Sequence, residues 1–170
     1  MTYAANPSKK GLDRILSAWR ALRRAGDDEE LVVAGATATD LAAAGIDARR
    51  EEGVRVAGPL DRAEYRELLR RARVFVCAPR REDYGLAQLE ALADGCRLVT
   101  TPAPGPYAAL PIARALDARL VSDDLTAALE AGLAAPQDDY ASRARRMLEP
   151  YTRESADRIV SRELLPRLLG

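Results

Sequence analysis

The stretch that most constrains this chain is Val74–Gly95, VFVCAPRREDYGLAQLEALADG. An apolar run, Val74–Ala78, stops at Pro79, and helical periodicity resumes near Gly85. A short run with no polar alternation reads as a strand covered on both faces, which is how strands of parallel sheets are built. The turn that follows aims backbone N–H groups and the positive end of a helix dipole at one point, a geometry that suits an anion. Two carboxylates, Glu82 and Glu90, lie eight positions apart across that turn.

The rest of the chain repeats the alternation. Met1–Ala5 is a first strand and Asn6-Pro7-Ser8 a turn, with Ser8 as the expected N-cap of a helix. That helix carries Leu12, Ile15, Leu16, Trp19 and Leu22 on one face and closes at Arg23-Arg24-Ala25-Gly26. Leu31–Ala34 is a second strand, and a short helix, Leu41–Ala44, is expected behind Thr39 or Asp40. Arg49–Gly53 is an exposed loop before the third strand, Val54–Ala57. Asp61 and Glu64 form a capping-box pattern for a helix with Tyr65, Leu68, Leu69 and Ala72 inward. Beyond Gly95 come a strand at Arg97–Thr101, a proline-rich loop, and a helix within Tyr107–Leu116. A last strand is expected at Ala118–Val121, then a helix capped by Asp123 or Asp124 through Leu133. Two further helices follow, around Tyr140–Leu148 and from about 152 to 169. This order implies one α/β domain over residues 1–170, a Rossmann-like, mostly parallel sheet with helices on both faces. Ligands of such sheets bind outside the carboxyl ends of the strands.

Composition removes several chemistries. The chain has 26 basic and 26 acidic residues, so no global field recruits nucleic acid or an acidic membrane. With no histidine, Ser-His-Asp hydrolysis, Cys-His proteolysis and most zinc catalysis lack their imidazole. Cys77 and Cys96 fit no metal motif; a disulfide between them is one reading, and two buried or semi-buried thiols of a cytoplasmic protein, at most peripheral to the inner membrane face, the preferred one. No apolar run is long enough to span a bilayer.

Chemistry therefore falls to carboxylates, cations and backbone dipoles. Lys9 and Lys10 are the only lysines in the chain. Both are expected in the first turn of helix 1, where a cation opposes the macrodipole unless an anion binds there; Lys9 reads as solvated surface. On the helix after Gly85, an apolar face through Leu86, Leu89, Leu92 and Ala93 puts Glu90 on its shoulder, about 40° from Leu86, with Gln88 and Ala91 outward. Glu90 could accept two hydroxyl groups of a ribose, or pair with Arg97 or Arg73. Glu82 could serve the helix dipole or face a reacting group. The Gly85 and Leu86 amides could meet phosphate oxygens, with Arg80 and Arg81 adding charge.

At these residues Glu82-x7-Glu90 resembles the E-x7-E signature of family 4 retaining glycosyltransferases, which have the two-domain GT-B fold. SKKGLDRILSAW, LVVAG, VRVAGPL, YRELLRRARVFV and YTRESADRI resemble further segments of that family in its order. The resemblance implies the C-terminal, donor-binding half of a GT-B enzyme, whose substrate is a UDP-, GDP- or ADP-type nucleoside-diphosphate sugar and which needs no metal cofactor. It places Lys10, Gly85 and Leu86 on the donor diphosphate, Glu82 on the sugar in the catalytic role, and Glu90 on the ribose. Asn6 stands near where many members carry an arginine, and Pro102–Tyr107 replaces a glycine-rich turn. An N-terminal acceptor-binding domain would have to come from another domain or a separate chain, without which the isolated chain is expected to be nearly inactive. The alternatives are a non-catalytic partner subunit or docking module on the same fold, or an enzyme acting on the nucleotide-sugar itself, such as an epimerase.

Overall fold

The computed structural model describes residues 1–23, 28–47, 50–134 and 139–169. The expected helix stop at Arg24–Gly26 and the start of the loop at Arg49 lie outside the described residues. In chain order the elements are β1 (Thr2–Tyr3), α1 (Leu12–Leu22), β2 (Leu31–Ala34), α2 (Ala38–Ala43), β3 (Val54–Gly58), α3 (Arg62–Arg71) and β4 (Val74–Cys77). They continue with α4 (Leu86–Ala93), β5 (Arg97–Thr100), α5 (Ala109–Leu116), α6 (Leu125–Leu133), α7 (Tyr140–Met147), α8 (Arg153–Ile159) and α9 (Leu165–Leu169).

The strands run parallel, β1 beside β2, β2 beside β3, and β4 beside β5. Met1 joins the two groups: its nitrogen donates to the Val74 carbonyl at 2.7 Å, and its carbonyl accepts from the Val76 N–H at 2.9 Å. A parallel bridge from Thr100 to Val121 extends the other edge. The resulting order is β3-β2-β1-β4-β5, so the chain reverses its direction of growth between β1 and β4. Every residue of β2, β4 and β5 is buried, as the apolar runs of β2 and β4 demand; in β5 the burial includes the polar Arg97 and Thr100. Phe75, Leu92, Leu98 and Leu120 are among the largest buried side chains, each contributing about 1.5–3 kcal/mol of transfer free energy.

Several local expectations are corrected by hydrogen bonding. Ser8 does not cap α1. Asn6 accepts from the Lys9 and Lys10 amides in a separate turn, and the helix starts only after Gly11, at φ 66°. Lys10 thus precedes α1 rather than lying in its first turn. The cap of α2 is Thr37, in a reciprocal capping box with Asp40, which moves that helix to Ala38–Ala43. The capping box at Asp61 and Glu64 and the cap at Asp124 form as read. Ala118–Leu120 is a 3-10 turn, not a strand. Asp117 is buried and accepts from the Arg119 N–H, curling the backbone before Val121 makes its single bridge.

The largest correction concerns α4. Gln88 and Ala91, expected to face outward, are buried, while Leu86 is 66% exposed and Ala93 is exposed as well. This helix is packed by β4, β5, α5 and α7, so its buried face is set by neighbours on several sides rather than by one apolar stripe. In the terminal helix, Pro166 follows a π-helical turn, Val160–Leu164. A proline has no N–H for the preceding turn and crowds its carbonyl, which favours such a widened turn.

Candidate functional site

The crevice where the strand order reverses is the expected ligand position in an open parallel sheet. Here the loops after β1 and β4 meet. Gly11 is pressed onto the second loop so closely that a Cβ would lie 1.9 Å from the Ala78 carbonyl oxygen. With its positive φ, this position admits only glycine without displacement of the loop. The Arg80 N–H donates to the Lys9 carbonyl at 3.1 Å. Its guanidinium donates to the Ser8 carbonyl and to Asp13, at 3.2 and 2.8 Å. Arg80 therefore fastens the two loops together, and Arg81 pairs with its neighbour Asp83.

This stitching brings Lys10 to Glu82, Nζ to Oε2 at 2.8 Å, across 72 residues of sequence. Glu82 is 7% exposed, too buried for a carboxylate that only decorates a helix dipole. Its Oε2 also accepts from the Gln88 side-chain amide at 2.9 Å. Both donors converge on one oxygen. The third loop closes over the other side, with the Glu82 N–H donating to the Pro104 carbonyl at 3.1 Å.

Immediately after Glu82, α4 begins at Leu86 behind Gly85, at φ 88°. Gly85 has no side chain to satisfy the first amides, and among the described residues no side chain caps this helix. A Cβ at Gly85 would meet the Tyr107 ring at 2.7 Å. Under the turn, the Tyr107 hydroxyl lies 3.0 Å from Thr100 Oγ1 and 3.4 Å from Cys77 Sγ. Burial pushes the Tyr107 phenol and the Cys77 thiol well above their ordinary ranges. These groups support the turn as neutral hydrogen-bonding partners.

Glu90 is half-buried one turn along α4, near Tyr65 and Arg66 of α3. Arg97 and Arg73 do not pair with it: Arg97 donates to three carbonyls at the end of α6, and Arg73 to Glu29. Among the described residues the Glu90 carboxylate has no hydrogen-bond or ion-pair partner. Burial and then the Glu90 charge push the Tyr65 phenol up, and the Tyr65 hydroxyl is buried without a partner. The site thus brings Lys10 to Glu82, with Gly85 and Leu86 opening α4 just beyond Glu82 and Glu90 one turn further along that helix. Sequence reasoning missed Gln88, Tyr107, Thr100 and Cys77, and Gln88 as the polar residue nearest an apolar helix start was the one available signal. Among the described residues no group of three or more His, Cys, Asp or Glu side chains could hold a metal ion.

The fold and this cluster define a doubly wound α/β domain whose polar site lies where the strand order reverses. The family model of group 1 glycosyl transferases matches residues 2–149, and the chain belongs to that family. No curated protein matches the sequence. Among solved structures, the chain is similar to WaaG, a glycosyltransferase involved in lipopolysaccharide biosynthesis, with 19% identity and a TM-score of 0.71 over 95% of this chain and 46% of that one. The GtfA/B complex gives 16% identity and a TM-score of 0.74 over 97% of this chain and 35% of that one. The trehalose 6-phosphate synthase of Burkholderia multivorans gives 19% and 0.58, over 96% and 39%. The α/β architecture matches GT-B glycosyltransferase structures, and the chain spans about a third to a half of their length.

Proposed function

We propose that this chain is the donor-binding half of a retaining, family 4 type glycosyltransferase that takes a nucleoside-diphosphate sugar. The observation that carries the reading is the meeting of Lys10, Glu82 and the uncapped start of α4 at the strand-order reversal. A diphosphate would lie against the Gly85 and Leu86 amides and accept from Lys10. An ammonium has three N–H donors, so Lys10 can hold Glu82 and a phosphate oxygen together. Charge developing on the departing diphosphate would meet cation and dipoles already in place, which is where electrostatic catalysis gains most. Glu82 would face the sugar, and Glu90, unpaired and half-buried, would accept the ribose hydroxyls. Acceptor binding and closure of the cleft would belong to a second domain or chain, consistent with the fraction of GT-B structures this chain spans.

A second reading, a partner subunit or docking module, draws on the exposed apolar side chains of the terminal helix. Calorimetric titration with UDP, GDP and ADP separates the two. Saturable binding to one of them, weakened at least tenfold in Glu90→Ala, is expected of a donor site. Absence of binding to all three by the wild-type chain would favour the partner subunit.

A further inference from the structure

The geometry points to Gln88 as a positioning residue for Glu82, an inference that rests on the donor-site reading for its functional meaning. Gln88 is 2% exposed on a helix whose sequence pattern would leave a polar residue outside. Burying an amide is unfavourable unless it finds partners, and its Nε2 finds Glu82 Oε2 at 2.9 Å. Among the described residues its Oε1 has no hydrogen-bond partner, and it lies beside Gly85, within the turn itself. The same Glu82 oxygen accepts from Lys10 at 2.8 Å. With two donors from different elements on one oxygen, the carboxylate plane is held, and among the described residues Glu82 Oε1 has no hydrogen-bond partner. Lys10 alone would not fix that plane, because a mobile ammonium follows either oxygen of a rotating carboxylate. Gln88 is amide-shaped, carried by a helix and buried, so packing around the side chain fixes the direction of its N–H. Through it, α4 controls how Glu82 faces the crevice.

The two lysines make this measurable without a ligand. In the chain labelled with 15N and 13C at lysine, Lys9 and Lys10 supply the only side-chain ammonium signals. In the wild type, the Lys10 signal is expected apart from Lys9, with slower hydrogen exchange. Glu82→Gln should move it most of the way to the Lys9 position. Gln88→Met, of similar length but without the amide, should move it part of the way and raise its exchange rate several-fold. Gln88→Asn, too short to reach, should do the same. Urea midpoints of each variant check that the fold is retained, and Lys9 serves as the internal reference. A Lys10 signal unchanged in folded Gln88→Met and Gln88→Asn, but displaced in Glu82→Gln, would overturn the positioning role. Titrating the same samples with UDP, GDP and ADP tests the donor-site reading separately: a Lys10 shift with one of them supports it, and no shift with any removes it whatever the Gln88 result.

Discussion

At the scale of single residues, burial decides chemistry here more than charge does. Cys96 is fully buried, its Sγ donates to the Leu69 carbonyl at 3.1 Å, and burial pushes its thiol up from 9.0 to about 11. The native chain therefore keeps a proton that the unfolded chain releases above pH 9. Its contribution to stability is complete below pH 9 and is lost as pH rises from 9 to 11, amounting to roughly 2–3 kcal/mol. Cys77 and Tyr107, also pushed up by burial, act in the same direction. Urea unfolding at pH 9 and 10.5 should show stability falling over that interval, with a smaller fall in Cys96→Ala. The sequence suggested two buried thiols, and the structure has both free and buried. It could not suggest that Glu82 shares one oxygen between Lys10 and Gln88, because Lys10 is 72 residues away and leaves no local pattern, and the helical spacing turned Gln88 outward.

At the scale of elements, periodicity described single-sided helices well and many-sided ones badly. The inward residues of α1, Leu12, Ile15, Leu16 and Trp19, are buried as the spacing requires. For α4, closed in by strands and helices on several sides, the same rule placed Leu86 inside and Gln88 outside, and the structure has them reversed. A second element-scale feature is the buried Arg97 of β5. Its guanidinium donates to the Ala131, Gly132 and Ala134 carbonyls at 2.7–2.9 Å, closing the C-terminal end of α6 onto the sheet. Last-turn carbonyls have no intrahelical partner, and a cation there also complements the dipole. Arg97→Met should destabilise the chain by roughly 2–4 kcal/mol in urea unfolding, as buried carbonyls lose charged partners. A change below 1 kcal/mol would mean that water replaces the guanidinium at little cost.

At the scale of the whole molecule, the body and the terminal helix differ. From Arg153 to Leu168 every side chain except Ser155 is exposed, and Ile159, Val160, Leu164, Leu165 and Leu168 project an apolar face that the described residues do not cover. The double variant Leu164→Lys/Leu168→Lys should therefore change unfolding free energy by no more than about 0.5 kcal/mol, as exposed substitutions do. A loss above 1 kcal/mol would show that this face packs in solution.

What the sequence by itself determined was the alternation of strands and helices, the segments that meet at the site, and the resemblance that residues 2–149 bear out as group 1 glycosyl transferase membership. Such signals are local: strand runs, helical spacing, capping pairs and a motif nine residues long. Only the tertiary structure decided that β1 and β4 are neighbours, that Arg80 ties their loops, and that Lys10 and Gln88 converge on Glu82. The physical reason is that backbone propensity acts over a turn or a strand, whereas which ammonium meets which carboxylate follows from strand order and from what the packed core leaves room for.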